Sequence, residues 1–309
     1  MVKTKIFIAG HRGLVGSALV RFFEQRTEWE IITRSRAELD LREREAVREF
    51  FASEKPSRVV LAAAKVGGIH ANATQQVEFL LENMRIQNNV IEAAADHDVE
   101  RLLFLGSSCI YPKNCPQPIK EEHLLTAPLE PTNEGYALAK ITGLKLCQYY
   151  HRQYRRRFIS AMPSNLYGPN DNFDLETSHV LPALIRKFHE AKERGAASVP
   201  LWGTGSPRRE FLHVDDLAAA CFELLENHDS DEPINVGVGK DITIKELAEL
   251  VQEVVGFEGD LAWDSTKPDG TPRKLMDTSR LNALGWSPQI SLRQGLGQTY
   301  DWYRANAGA

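Results

Sequence analysis

The chain is poor in cysteine. It has four, at positions 109, 115, 147 and 221, with no Cys-x-x-Cys pair and no zinc spacing. It also lacks a basic block. The formal net charge is -5, which offers a polyanion such as nucleic acid no electrostatic hold. Long apolar runs are missing too: the longest, residues 59–64, cannot span a bilayer. Residues 1–8 run straight into a strand, and their apolar stretch is too short for the core of a secretory leader. No Gly/Ser-rich linker and no internal repeat divides the sequence. These absences predict a cytoplasmic protein with reduced thiols, no metal, no nucleic-acid partner and no membrane contact.

What is present is ordinary in bulk and ordered in detail. With 309 residues, 42% hydrophobic and 26% charged, the chain can bury a sizeable core. Apolar strand patterns fall at residues 4–9, 30–33, 58–62, 101–105 and 157–161. Helical patterns fall between them, at residues 14–25, 42–53, 76–95 and 135–154, the second stopped near Pro56. Strands alternating with helices predict an α/β fold: a doubly wound parallel sheet of Rossmann type with right-handed crossovers. After about Ser164 the alternation loosens. Turn-rich strings such as Tyr167-Gly168-Pro169 appear, with helices expected at 180–194, 214–225, 244–255 and 292–304. We expect a dinucleotide-binding domain over 1–164, rejoined by residues near 210–240. A smaller α/β substrate-binding lobe should cover most of 165–309.

Gly10-His11-Arg12-Gly13-Leu14-Val15-Gly16 follows the first strand and opens the first helix. Glycines there let the backbone approach a pyrophosphate, and the helix end offers it free N–H groups. The second strand ends in Thr33-Arg34-Ser35-Arg36, where a carboxylate would bind the ribose of NAD. Arg12, Arg34 and Arg36 instead suit a 2′-phosphate, so NADP is the expected cofactor. Ala63, in Ala62-Ala63-Ala64-Lys65 after the third strand, is expected beside it. Pro163 and His179 complete the expected cofactor set.

Tyr136 and Lys140 are four apart and share one helix face. A free phenol has a pKa of about 10, and a nearby ammonium favours the phenolate. Ser107 follows the strand at 101–105 and can hydrogen-bond a carbonyl or alcohol. Together with the glycine turn, this trio suits hydride transfer between a nicotinamide and a sugar carbon. Asp215-Asp216 reads as a helix N-terminus, His213 as a packing or hydrogen-bonding residue, and Glu121-Glu122 and Arg155 to Arg157 as solvated surface.

Ser107, Tyr136-Ala-Leu-Ala-Lys140, Arg209-Glu-Phe-Leu-His-Val-Asp-Asp216 and Ile234-Asn-Val-Gly237 resemble the extended short-chain dehydrogenase/reductase superfamily over nearly the whole chain. Within it, longer strings most closely resemble the GDP-L-fucose synthase family. They are Phe7-Ile-Ala-Gly-His-Arg-Gly13, Ala62-Ala-Ala-Lys-Val-Gly-Gly68, Leu105-Gly-Ser-Ser-Cys-Ile-Tyr-Pro-Lys113, Leu129-Glu-Pro-Thr-Asn133, Asn165-Leu-Tyr-Gly-Pro169, Ser178-His179-Val180 and Lys267-Pro-Asp-Gly-Thr-Pro-Arg-Lys274.

The resemblance implies conversion of GDP-4-keto-6-deoxy-D-mannose to GDP-L-fucose, by 3,5-epimerisation and NADPH-dependent reduction at C4. It implies Tyr136 as proton donor, Lys140 as its tuner and holder of the nicotinamide ribose, and Ser107 as the group orienting the oxygen. It assigns Cys109 as base and His179 as acid for epimerisation. Asn165, Lys187, Trp202, Arg209 and Lys274 become candidates for the GDP-sugar, although Arg would be expected at 187 as readily as Lys. Related enzymes dimerise through the equivalents of the helices at 76–95 and 135–154, so a homodimer is expected. Two other readings are another nucleotide-sugar epimerase or reductase of this architecture and a non-catalytic NADP-binding regulator. The missing carboxylate after strand two argues against an NAD-dependent 4-epimerase, and the intact trio against the regulator.

Overall fold

A computed structural model describes residues 3–267 and 269–306. Pro268, inside the Lys267 to Lys274 string, lies outside the described residues. The chain begins β1 (Thr4–Ala9), α1 (Leu14–Glu24), β2 (Trp29–Ile32), α2 (Arg44–Glu54) and β3 (Arg58–Leu61). It continues α3 (Ile69–Thr74), α4 (Gln76–Asp96), β4 (Arg101–Leu105), α5 (Glu134–Tyr154) and β5 (Arg157–Pro163). β10 (Ile234–Val236) comes later in the chain but completes the same sheet.

That sheet has six strands in the order β10-β5-β4-β3-β1-β2, with every pairing parallel. The α/β doubly wound fold expected from the sequence is the fold observed. Alternation along the strands sends side chains to both faces. Phe7, Val59 and Phe104 face α2, α4 and α5. Ile6, Ile8, Val60 and Leu103 face α1 and a later helix over Val214–Asn227.

Between β5 and β10 lie β6 (Asn165–Tyr167), α6 (Val180–Glu193), β7 (Ser198–Trp202), β8 (Arg208–Arg209), β9 (Phe211–His213) and α7 (Val214–Asn227). After β10 come β11 (Ile242–Thr243), α8 (Ile244–Val255), β12 (Asp260–Asp264), β13 (Arg273–Lys274), α9 (Ser279–Ala283) and α10 (Leu292–Asn306). α6, α8 and α10 pack with β7 around a third apolar cluster that includes Leu184, Phe188, Leu201, Val251 and Leu296. β13 pairs with β8 in parallel, which sets Lys274 beside Arg209.

Three local expectations change. α2 starts at Arg44 rather than residue 42, because Asp40 takes the Arg42 backbone N–H at 3.0 Å and its guanidinium at 2.6 Å. β5 runs on to Pro163, carried by parallel pairing of Pro163 with Val236. Glu121 is buried, not solvated: its carboxylate accepts the Asn235 N–H at 3.0 Å and lies 3.6 Å from Arg280. Its neighbour Glu122 stays exposed. Asp215 and Asp216 do sit in the first turn of α7, and the buried His213 caps it by accepting the Asp215 N–H.

Candidate active site

The carboxyl ends of β1, β3, β4 and β5 open into one cavity of about 860 Å³. Strand ends at such a crossover are where open α/β sheets bind ligands. One end is the glycine turn. Gly10 has φ +88°, and a Cβ there would lie 2.7 Å from the Ala63 backbone nitrogen. A Cβ on Gly16 would strike the Gly10 carbonyl oxygen at 2.0 Å. Side chains are therefore excluded where the turn packs on itself and on β3. α1 then starts with Gly13 as an N-cap without a side-chain hydrogen bond, and no acidic residue stands in its first turn. Gly13, Leu14 and Val15 line the cavity. Free N–H groups and a helix N-terminus fit a pyrophosphate.

The three arginines fare differently. Arg36 lines the cavity with a side chain 68% exposed, held only loosely, 3.7 Å from Asp40. Arg34 reaches the wall, but its guanidinium is taken by Glu54 and stacks toward Phe50. Arg12 is exposed and is not among the lining residues. The cation best free for a 2′-phosphate is Arg36. Sequence reasoning missed the charges beside it. Asp40 to Arg42 is 2.6 Å, Arg42 to Glu82 is 3.4 Å, and Glu82 to Lys65 is 3.0 Å. All four residues line the cavity, and Arg42 holds the Asp40 carboxyl down at about 2. Glu82 lies on α4, far along the chain, where nothing local marked it.

Ser107, Cys109, Tyr136, Lys140, Pro163, Asn165, His179 and Lys274 line the same cavity, as does Ala63, which packs against Gly10. Ser107 is extended, and its Oγ accepts the Cys109 N–H at 3.2 Å, which starts a short 3₁₀ turn. That turn aims Cys109 back over the strand end. Lys140 is buried and donates to the Leu105 carbonyl at 2.8 Å, with Nζ 5.8 Å from the Tyr136 ring centroid. Burial pushes its ammonium down to about 8.

The spacing of Tyr136 and Lys140 predicted a phenol drawn toward phenolate. The geometry gives the reverse balance. Burial raises the Tyr136 phenol, the neighbouring Cys109 adds to this, and the Ser107 hydrogen bond only partly opposes them. The Lys140 ammonium is committed to a backbone carbonyl, so it does not offset that burial. Burial thus favours the protonated phenol of Tyr136, held beside Ser107.

Cys109 has a cation at hand: Lys274 Nζ donates to its Sγ at 3.7 Å. His179, at the N-terminus of α6, is open to the cavity. Surrounding protein lowers its pKa, and the Lys274 charge lowers it further. Two polar neighbours escaped sequence reasoning. Asp171 lines the cavity with one carboxylate oxygen unpartnered, and burial pushes it up to about 7. Ser178 Oγ is likewise buried without a partner. Asp171 was marked only by position, in the loop that follows β6 at the carboxyl edge of the sheet, and Ser178 stood in a family-like string without a role of its own.

Lys187, Trp202 and Arg209 stand outside the lining of this cavity. All three come from the later part of the chain, on α6, β7 and β8. Trp202 is 68% exposed, with Lys187 Nζ 6.0 Å and Lys267 Nζ 5.5 Å from its ring centroid. Arg209 is the register partner of Lys274, which does line the cavity. Lys267 opens the family-like string that ends at Lys274, yet its place at the indole was not foreseen.

Comparison with known proteins gives the same outline. The family model described as the NAD dependent epimerase/dehydratase family matches residues 6–237. The chain is 63% identical over 302 residues to GDP-L-fucose synthase 1 of Arabidopsis thaliana, covering 98% of this chain and 94% of the relative. It is 55% identical over 315 residues to GDP-L-fucose synthase of Escherichia coli (strain K12), covering 99% and 98%. A solved GDP-L-fucose synthetase from Naegleria fowleri bound to NADP superposes with a TM-score of 0.93 at 29% identity, covering 99% of this chain and 94% of that one. By these matches the chain belongs to the NAD-dependent epimerase/dehydratase family and, within it, to the GDP-L-fucose synthases.

Proposed function

We propose that this protein converts GDP-4-keto-6-deoxy-D-mannose to GDP-L-fucose, with NADPH as reductant. The observation that carries this reading is the sharing of one cavity by two proton-transfer systems, Ser107/Tyr136 and Cys109/His179, beside a glycine turn fitted to a dinucleotide. NADPH, when bound, supplies the hydride for the C4 carbon. The protein does the rest. Ser107 orients the C4 oxygen and Tyr136 gives it a proton, while Lys140 holds the nicotinamide ribose. Cys109 removes the protons at C3 and C5, which the adjacent ketone acidifies, and His179 returns protons to the opposite face.

Gly10, Gly13, Leu14, Val15, Gly16, Arg36, Ala63, Pro163 and His179 hold the cofactor in this proposal. Asn165, Lys187, Trp202 and Arg209 hold the GDP-sugar. Residues 1–164 with about 210–240 form the cofactor domain, and the remainder of 165–309 forms the substrate lobe. A homodimer and a cytoplasmic location belong to the same proposal. The dimer is supported by exposed Val77 and Leu81 on α4 and by Leu138 and Tyr149 on α5, two helices packed side by side. The location is supported by four free cysteines. No helix among the described residues is long and apolar enough to cross a membrane.

The test is to incubate the protein with GDP-4-keto-6-deoxy-D-mannose and NADPH and identify the sugar formed. GDP-L-fucose, with one NADPH consumed per sugar, is expected. A 4-reduced product without inversion at C3 and C5, or no NADPH consumption, overturns the reading.

A further inference from the structure

Nothing in the amino-acid order puts Lys274 where it stands. β13 is too short to be positioned by its own pairing alone, and three contacts pin it and the residues that follow. The Leu275 N–H donates to the Gln117 side chain at 2.8 Å. The Leu275 carbonyl accepts the Ile119 N–H at 2.7 Å. The Met276 N–H donates to the buried Glu210 carboxylate at 3.0 Å. The Lys274 backbone is therefore fixed by the protein itself, with no help from a ligand. Among the described residues its ammonium forms no ion pair with a carboxylate, and it donates to the Cys109 sulfur at 3.7 Å. Cys109 is fixed from its own side by Ser107 Oγ and by the buried Ile110 that follows it.

A thiol acts as a base only as thiolate, and a thiolate in a protein needs a neighbouring positive charge. Two groups here could supply it. His179 is the weaker source: its surroundings and the Lys274 charge both lower its pKa, and it gives its proton to the sugar in each exchange. Lys274 is the lasting cation. We propose that Lys274 is a positioning residue for epimerisation: its ammonium pairs with the Cys109 thiolate and holds the sulfur toward the sugar, and this, rather than contact with the GDP diphosphate, is its main task. The inference rests on Cys109 being the base in the function proposed above.

In the step, the thiolate takes the proton from C3 or C5. The C–H electron pair moves into the ring, and the former C4 carbonyl oxygen becomes an enolate. Negative charge passes from sulfur to that oxygen, near Ser107 and Tyr136, while Lys274 stays protonated. A proton from His179 then closes the opposite face. Cys109 returns its proton to solvent and His179 regains one before the next exchange.

The test compares Lys274→Met, Lys274→Arg and Cys109→Ser with the wild type at one neutral pH, after circular dichroism has checked each fold. Alkylation of Cys109 by iodoacetamide, followed on its peptide by mass spectrometry, should slow at least about tenfold in Lys274→Met and recover to within about threefold in Lys274→Arg. The thiolate absorbance of wild type, taken as the difference from Cys109→Ser, should vanish in Lys274→Met. Deuterium exchange into the ketosugar should fall in parallel, while GDP binding stays within about twofold. Unchanged alkylation with weakened GDP binding would make Lys274 a diphosphate ligand and overturn the proposal. Should Lys274→Met fail to fold, Lys274→Gln is read in its place. Absence of deuterium exchange in the wild type would instead sink the assigned function, and the alkylation arm would still decide the pairing.

Discussion

At the scale of single residues, the proposed function divides into two proton transfers that substitutions can separate. Tyr136→Phe removes the donor for reduction and leaves Cys109 and His179 in place. Solvent deuterium should still enter the sugar while NADPH oxidation falls at least about a hundredfold. Cys109→Ser should do the opposite, keeping NADPH binding and losing exchange, because an alcohol is far too weak a base. Mass spectrometry of the recovered sugar and absorbance of NADPH read the two arms. Arg36 carries a second residue-level expectation. Its guanidinium is mostly exposed and only loosely paired. Arg36→Ala should weaken NADPH binding by about tenfold to a hundredfold, the worth of a charged hydrogen bond, and leave NADH nearly unchanged. Equal losses for the two cofactors would remove the 2′-phosphate from its role.

Lys140 shows what the site costs the fold. Burial lowers its pKa from 10.5 to about 8, so the folded state disfavours the charged form. The cost is fully felt below pH 8 and disappears as pH rises through 10.5, where the unfolded chain also loses the proton. A pKa lowered by one corresponds to about 1.4 kcal/mol, and the lost hydrogen bond to Leu105 takes back about 1 kcal/mol. Lys140→Met should therefore raise unfolding free energy by about 2 kcal/mol at pH 7 while abolishing reduction. Urea unfolding from pH 7 to 10.5 checks the sign, since the gain should shrink with rising pH.

At the scale of elements, the first turn does two jobs that substitutions can separate. A Cβ at Gly16 meets the Gly10 carbonyl at 2.0 Å, so Gly16→Ala forces β1 and α1 apart. We expect a loss of about 2–4 kcal/mol and a lower melting temperature even without ligand. A Cβ at Gly13 meets nothing closer than 3.6 Å, so Gly13→Ala should melt like the wild type. It should nonetheless bind NADPH poorly, because the methyl group stands where the pyrophosphate approaches. Calorimetry and cofactor titration of the two variants distinguish structural from binding glycine. α5 likewise serves two masters. Its inner face holds Lys140 and packs Gly143 on Phe104, while Leu138 and Tyr149 remain outside.

At the scale of the whole molecule, that outer face suits a second copy. Leu81 on α4 and Leu138 on α5 are 44% and 41% exposed, although both are large and apolar. Leu81→Lys with Leu138→Lys should leave the monomer folded, since neither side chain is in the core, and should halve the mass seen by light scattering. A wild-type monomer at micromolar concentration would remove the dimer from the proposal. A second whole-molecule feature lies in the later part of the chain. Trp202 with Lys187 and Lys267 lies apart from the cavity lining, while the β8–β13 pair sets Arg209 in register with Lys274, which lines the cavity.

The amino-acid order alone determined the alternating strands and helices, the glycine turn and the family motifs. These depend on side-chain period and on local backbone geometry, both of which act between near neighbours in the chain. It also brought out Ser107, Tyr136 and Lys140, because short spacings place them on a strand end and one helix face. Tertiary structure decided the rest. Glu121 was read as surface because its burial depends on Asn235 and Arg280, each more than a hundred positions away. Whether the Tyr136 phenol is raised or lowered followed from depth in the protein, which no spacing reveals. Arg34 was withdrawn from the 2′-phosphate by Glu54, and Lys274 was delivered to Cys109 by a strand 165 positions later in the sequence. Charge pairing and desolvation act through space at distances of a few ångströms, so they belong to the packed molecule and not to the order of its residues.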